Sequence, residues 1–284
     1  MPIITSQIVK KLHLPKPDSR KRDNGRLLII AGSDKYFGAL VYCIKTASRL
    51  VDLVYLLTTP ENQRLIEKLK IQTAEFMPIN GHATTKRSAP TRLARREPRR
   101  IYRLLNDVDA ILIGPGMGIS SATKQLTTWV LKSGKGAVLD ADALNVLDDN
   151  LKKLLSPLHI LTPHHREFRR LFKLKPNPQN AAKMAKKYHC TIVLKGPVDV
   201  IASPNGKIAL NKTGNAGMTK GGTGDVLAGL IAGLYATNNA YVSAAAGTYV
   251  NGLAGDGLYK KVGAFYNAED LTNQLPITLK HLLR

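Results

Sequence analysis

Asn215-Ala-Gly-Met-Thr-Lys-Gly-Gly-Thr-Gly-Asp-Val-Leu227 runs a glycine-dense turn straight into an uncharged helical pattern and leaves Asp225 in that helix's first turn. Large apolar residues follow at Val226, Leu227, Leu230, Ile231 and Leu234, with Ala228, Gly229, Ala232 and Gly233 opposite. This spacing predicts a helix with one buried face and one closely packed face. Gly221, Gly222 and Gly224 lack Cβ atoms, so backbone N–H groups can approach an anion. The helix start adds unpaired donors and positive dipole. The stretch therefore reads as an anion cradle with a carboxylate base beside it, suited to charge that develops in phosphoryl or acyl transfer. A plain loop with a helix-start acid is the competing reading.

Outward from this motif, short apolar runs end repeatedly in glycine or polar tips. Leu27–Ala31 ends at Gly32, Leu53–Leu57 follows an amphipathic stretch from Ala39 to Val51, and Asp109–Ile113 ends at Gly114-Pro-Gly-Met-Gly118. Ala137–Leu139 ends at Asp140, His159–Leu161 at Thr162, and Thr191–Leu194 at Lys195. Strand, tip and helix repeated this often predict an α/β fold, a mainly parallel sheet with helices on both faces. Such sheets bind ligands beyond the carboxyl ends of their strands, where every notable motif here falls. Val198–Ala202 and Lys207–Leu210 read as a small antiparallel hairpin.

Of 284 residues, 42 are Lys or Arg and 20 Asp or Glu, a formal charge of +22 that favours anionic partners without choosing among them. From Lys86 to Arg103 eight basic residues face only Glu97. Residues 78–103 read as a basic loop or insertion on one domain spanning 1–284, solvated rather than nucleic-acid-binding, since no aromatic interleaves before Tyr102. A nucleic-acid partner is not excluded by the charge. Cys43 and Cys190 stand far apart, which predicts neither a disulfide scaffold nor a zinc site and agrees with a cytoplasmic setting. The charge-free run Val226–Gly255 is broken at Thr237-Asn-Asn239, giving two core helices rather than a membrane span.

Several further residues can carry chemistry. Asp140 and Asp142 share a strand end; one can cap a helix, and Asp142 can approach a metal or phosphate. His164 and Glu167, three apart, fall on one face of a helix's first turn. Glu167 is either a helix-start acid or, beside Asp142, a ligand for Mg²⁺ through water. Lys195-Gly-Pro-Val-Asp199 places a cation and a turn at a strand end, suited to a diphosphate. An aspartate at a helix start is expected to stay ionised and accept a proton.

The order of Gly32-Ser-Asp-Lys-Tyr-Phe-Gly-Ala39, the Gly114–Gly118 turn, Asp140–Leu144, Thr162–Phe168, Leu194–Gly196 and the Asn215–Leu227 block resembles the ADP-dependent NAD(P)H-hydrate dehydratase family, from about Gly25 to Gly255. The resemblance implies a ribokinase-like three-layer sandwich and a nucleotide-repair lyase. It would dehydrate (6S)-NADHX and (6S)-NADPHX to NADH and NADPH, using ADP with Mg²⁺, or ATP in its place, through a phosphorylated hydrate. By the same resemblance Asp225 is the catalytic base, Gly221, Gly222 and Gly224 form the anion hole, and Lys195, Gly196, Pro197, Val198, Asp199 and Thr223 contact the nucleotide. Ala39, Gly116, His164 and Asp225 contact the hydrate. A homo-oligomer, a tetramer, and a stand-alone form without a fused hydrate epimerase domain are also implied. Departures from the family pattern are His165-Arg166, where Pro-Gly is usual, and Lys220, where a small residue is common; both add positive charge near a diphosphate. An ATP-dependent kinase of the same fold acting on a vitamin-like alcohol remains open, as does, on charge alone, a nucleic-acid-binding protein with a degenerate core.

Overall fold

The computed structural model describes residues 1–59, 61–64, 76–78 and 98–283; most of the basic 78–103 segment lies outside them. The apolar runs form strands β1 (Arg26–Ile30), β2 (Leu53–Leu57), β3 (Met77–Pro78), β4 (Ala110–Ile113), β5 (Gly136–Leu139), β6 (His159–Leu161), β7 (Thr191–Leu194), β8 (Asp199–Ala202) and β9 (Ile208–Asn211). Together they build one nine-stranded sheet in the order β3-β2-β1-β4-β5-β6-β7-β8-β9. Pairing is parallel from β3 to β7, and β8 and β9 add an antiparallel hairpin.

Alternation along the strands divides the core. Leu28 and Ile30 pack on one face with Ile111, Leu139 and Phe168, while Leu27 and Ile29 pack on the other with Leu112, Val138 and Ile231. Both faces of the central strands are dry, which explains continuous rather than alternating hydrophobicity. Each such fully buried side chain contributes about 1.5–3 kcal/mol. The β3 edge was not legible in the sequence because it spans only Met77–Pro78. The opposite edge is covered by the N-terminus, where Leu210 N–H donates to the Pro2 carbonyl and Ile4 N–H to the Leu210 carbonyl. That pairing shields an edge strand from other chains.

The predicted pair of core helices is present as Thr223–Tyr235 and Ala240–Val262. The small face of the first lies on the Phe37–Ala47 helix: a Cβ on Gly229 would come within 2.9 Å of the Cys43 carbonyl oxygen. No described helix is long and apolar enough to cross a membrane. Because β1 and β4 to β7 run parallel, Gly32, Gly114, Asp140, Thr162 and Lys195 emerge along the same sheet edge.

Candidate functional site

The Thr223–Tyr235 helix begins at Gly222, whose φ of +92° is a left-handed value that L side chains rarely adopt, and no side chain caps it. Thr223 N–H reaches the Lys220 carbonyl at 3.4 Å, which leaves the N–H groups of Gly224 and Asp225 for a ligand. The loop before it is tied down. Asn215 accepts from the Gly217 N–H at 2.9 Å and the Tyr266 hydroxyl at 2.8 Å, and donates to Asp256 at 3.0 Å. Thr223 Oγ1 lies 2.7 Å from the Met218 carbonyl oxygen and 2.8 Å from that of Lys220, so its hydroxyl serves the loop itself.

Between this helix start and the end of β7 opens a pocket of about 650 Å³, whose walls include His164, Lys195, Gly196, Pro197, Thr223 and Gly224. Lys195 Nζ donates to Asp140 Oδ1 at 2.8 Å, and a Cβ on Gly224 would lie 3.9 Å from that Nζ. The ammonium therefore hangs over the helix's first turn. Attraction from Asp140, Glu167 and Asp225 raises its pKa against the opposing effect of burial. Gly196 N–H and the Asn211 amide both donate to Asp199, which fixes the Lys195–Asp199 turn. Val198 is exposed and absent from the pocket wall.

Asp225 is half-buried, and its carboxylate makes no hydrogen bond among the described residues. Burial, joined by repulsion from Asp140 and opposed by Lys195, pushes its pKa up to about 7. Asp225 is therefore not held firmly ionised as its place at a helix start suggests, because burial strips the charged form of hydration. Its backbone oxygen accepts from the buried Cys43 thiol at 3.5 Å. Cys43 lies one helical turn beyond Ala39, and Ala39 meets Gly116: a Cβ on Gly116 would stand 3.2 Å from Ala39 Cβ. Ala39 and Gly116 thus lie together near the Asp225 backbone, while Lys195, Gly224 and His164 line the pocket.

Other expected residues have structural work. His164 caps the His165–Phe172 helix: its Nδ1 accepts from Arg166 and Glu167 N–H groups, while Glu167 Oε2 accepts from His164 N–H at 2.9 Å. Asp142 Oδ2 accepts from Gly118 N–H at 2.7 Å and Oδ1 from Asn145 at 3.0 Å, so both oxygens are spent on the Gly114–Gly118 turn and its neighbour. No group of three or more metal-type donors occurs among the described residues. Lys220 turns away from the cradle to the carbonyls of Ala264 and Tyr266. His165 lies against Gly196, whose Cβ would approach its Nε2 to 2.8 Å. Gly222 is crowded by Tyr42 and Ala268 rather than by the pocket, since a Cβ there would lie 2.6 Å from the Tyr42 ring.

Asp140 was the member of the Asp140/Asp142 pair that sequence reasoning passed over. It occupies an N-cap position yet caps nothing; its side chain reaches Thr162 and Lys195 instead. Only the strand order, which sets β5, β6 and β7 side by side, exposes that role.

The family model for NAD(P)H-hydrate dehydratases matches residues 27–277. The ADP-dependent (S)-NAD(P)H-hydrate dehydratase of Cenarchaeum symbiosum is 35% identical over 273 residues, 93% of this chain and 91% of that protein. The bifunctional NAD(P)H-hydrate repair enzyme of Methanocaldococcus jannaschii is 36% identical over 96% of this chain, and the chain spans about half the length of that relative, 51%. Among solved structures, the ADP/ATP-dependent NAD(P)H-hydrate dehydratase of Bacillus subtilis, co-crystallised with ATP and Mg²⁺, superposes with a TM-score of 0.78 at 26% identity, covering 99% of this chain and 98% of that one. With a parallel sheet closed by an antiparallel hairpin and a glycine cradle at its carboxyl edge, the chain belongs to the NAD(P)H-hydrate dehydratase family and has the ribokinase-like fold.

Proposed function

We propose that this chain dehydrates (6S)-NADHX and (6S)-NADPHX to NADH and NADPH, consuming ADP and releasing AMP and phosphate. The observation that carries the reading is Asp225, a half-buried carboxylate free of hydrogen bonds among the described residues, poised near neutrality beside an uncapped helix start and the Lys195 ammonium. A base with a pKa near the working pH combines a useful ionised fraction with real proton affinity. Asp225 takes the proton of the C6 hydroxyl, and the hydroxyl oxygen attacks the terminal phosphorus of ADP as the bond to AMP breaks. The C6–O bond then breaks, phosphate leaves with that oxygen as the ring nitrogen lone pair supplies electrons, and loss of a C5 proton to the departing phosphate or water re-forms the C5–C6 double bond. Phosphate leaves far more readily than hydroxide, which is what ADP cleavage supplies.

Gly221, Gly222 and Gly224 keep the first-turn N–H groups open to the charge developing on the transferred phosphoryl group, and Lys195 adds a cation there. Gly196 to Asp199 and Thr223 shape the nucleotide side. Ala39, Gly116 and His164 bear on the hydrate, His164 with Nε2 as donor because Nδ1 accepts the helix cap.

Mg²⁺ usually keeps several waters and takes one or two carboxylates plus substrate phosphates. Glu167, a single buried carboxylate with one oxygen engaged by His164 N–H, fits such a water-mediated contact, whereas the spent oxygens of Asp142 do not. The ion would neutralise diphosphate charge when bound. The same reading takes the chain as a single domain, 1–284, that works in the cytoplasm as a homo-tetramer.

Purified protein incubated with NADH hydrate, Mg²⁺ and either ADP or ATP should restore dihydronicotinamide absorbance with ADP, and AMP should appear in equal amount. No recovery with either nucleotide, together with phosphorylation of a vitamin-like alcohol from ATP, would move the reading to a kinase of this fold.

A further inference from the structure

We infer that Asp140, braced by Thr162, is a positioning residue that holds the Lys195 ammonium over the anion cradle, so that this cation acts on the phosphoryl group in flight. The inference rests on the dehydratase reading above. Three neighbouring strands each deliver one member: Asp140 follows β5, Thr162 follows β6 and Lys195 follows β7. Asp140 is 3% exposed, and its Oδ1 accepts both Thr162 Oγ1 at 2.7 Å and Lys195 Nζ at 2.8 Å. Thr162 Oγ1 also reaches the Leu139 carbonyl oxygen at 3.2 Å, and Lys195 N–H donates to the Pro163 carbonyl at 2.9 Å, so the backbone supports the arrangement at both ends.

A lysine has four rotatable side-chain bonds and a strongly hydrated head, so it does not hold one position without a partner. Here a short charge-assisted bond supplies that partner, and a Cβ on Gly224 would stand 3.9 Å from the ammonium. At the N-cap of the Ala141–Asn145 helix an aspartate would ordinarily bond that helix's own N–H groups; this one does not, and its carboxylate is spent on Lys195 and Thr162. Lys195 is thus held beside the reacting end of the pocket, near Gly224 and Asp225, rather than beyond it.

Stabilisation offered mainly to the transition state appears in kcat more than in KM. Asp140→Asn should lower kcat about 10- to 100-fold while KM for ADP changes less than about threefold. Lys195→Met should slow turnover further, and Asp140→Asn/Lys195→Met should be no slower than Lys195→Met alone, because a residue acting only through the lysine has nothing to position once it is gone. Thr162→Val, which keeps the ion pair and removes its brace, should give an intermediate loss and serves if Asp140→Asn fails to fold; Thr162→Ser should restore most of it. Thermal melts run beside each assay. Multiplicative losses in the double variant, or full kcat in Asp140→Asn or Thr162→Val, would overturn the inference. A parent protein that never dehydrates the hydrate would instead overturn the functional reading beneath it.

Discussion

The molecule contains two glycine turns at the same sheet edge, Gly114–Gly118 and Gly221–Gly224, each with an aspartate nearby; Gly114 and Gly116 of the first and Gly221 and Gly224 of the second are used in opposite ways, while Gly118 is open and Gly222 is packed on Tyr42. In the first, a Cβ on Gly114 would fall 1.8 Å from the Asp140 carbonyl oxygen, and one on Gly116 2.8 Å from the Tyr36 carbonyl oxygen. These glycines let protein approach protein. In the second, a Cβ on Gly221 would meet nothing within 4 Å among the described residues, and one on Gly224 only Lys195 Nζ. These leave room for something that is not protein. The aspartates divide likewise: Asp142 spends both oxygens on the Gly118 and Asn145 N–H groups, while Asp225 accepts from none of the described residues. A satisfied carboxylate supports a fold; an unsatisfied one, raised to about 7, is available for chemistry.

Asp225→Asn tests that division most severely. It should slow turnover by about 10²–10⁴ with nucleotide affinity nearly kept, as isothermal titration would record. It should also raise the melting temperature at pH 8. The folded-state pKa lies above the ordinary 3.8, so the buried carboxyl favours folding while protonated; that contribution is complete below about 4 and lost as pH rises through about 7. The stabilisation by asparagine should therefore shrink towards pH 4. For the parent, the rate should fall as pH drops below about 7. A variant with parental kcat and lost nucleotide affinity would make Asp225 a purely structural acid.

Gly114→Ala comes next. With the Asp140 carbonyl and the Ala143 backbone in the way and φ of +123°, the clash cannot relax locally, and a loss of about 3 kcal/mol or more is expected in urea unfolding. Gly222→Ala should behave partly like it, since its Cβ meets Tyr42 and Ala268, and its loss of activity should come with a lower melting temperature. Gly221→Ala should not: stability should stay within about 1 kcal/mol while kcat/KM for ADP falls about tenfold, because the added methyl enters ligand space. Unchanged kinetics there would place the phosphate elsewhere. Asp142→Asn should cost the least, about 1–2 kcal/mol of stability from weakened acceptance of two N–H groups, with kcat within a few-fold of the parent. A large loss reversed by added Mg²⁺ would restore Asp142 as a metal ligand.

Much of this was legible in the order of residues alone. Fully apolar runs ending in glycine or polar tips announced a buried parallel sheet, because strands covered on both faces need no alternation. The Gly-Gly-Thr-Gly-Asp block announced a helix start with open backbone, because only glycines at that density permit it. The break at Thr237–Asn239 separated two core helices, as observed. Tertiary structure alone decided the rest. That Gly222 also makes room for Tyr42 and Ala268 is written nowhere nearby; a left-handed φ and a distant ring leave no local trace in sequence. Lys220 looked like added charge for a diphosphate and is bound to carbonyls 44 and 46 residues away. The sequence favours Asp142 over Asp140 as the residue that can approach a metal or phosphate, yet Asp140 meets a lysine 55 residues on and Asp142 ties down the turn before it. Local sequence fixes backbone preference and which faces are buried; the partner of a charged side chain is chosen by strand order, and strand order is a property of the assembled sheet.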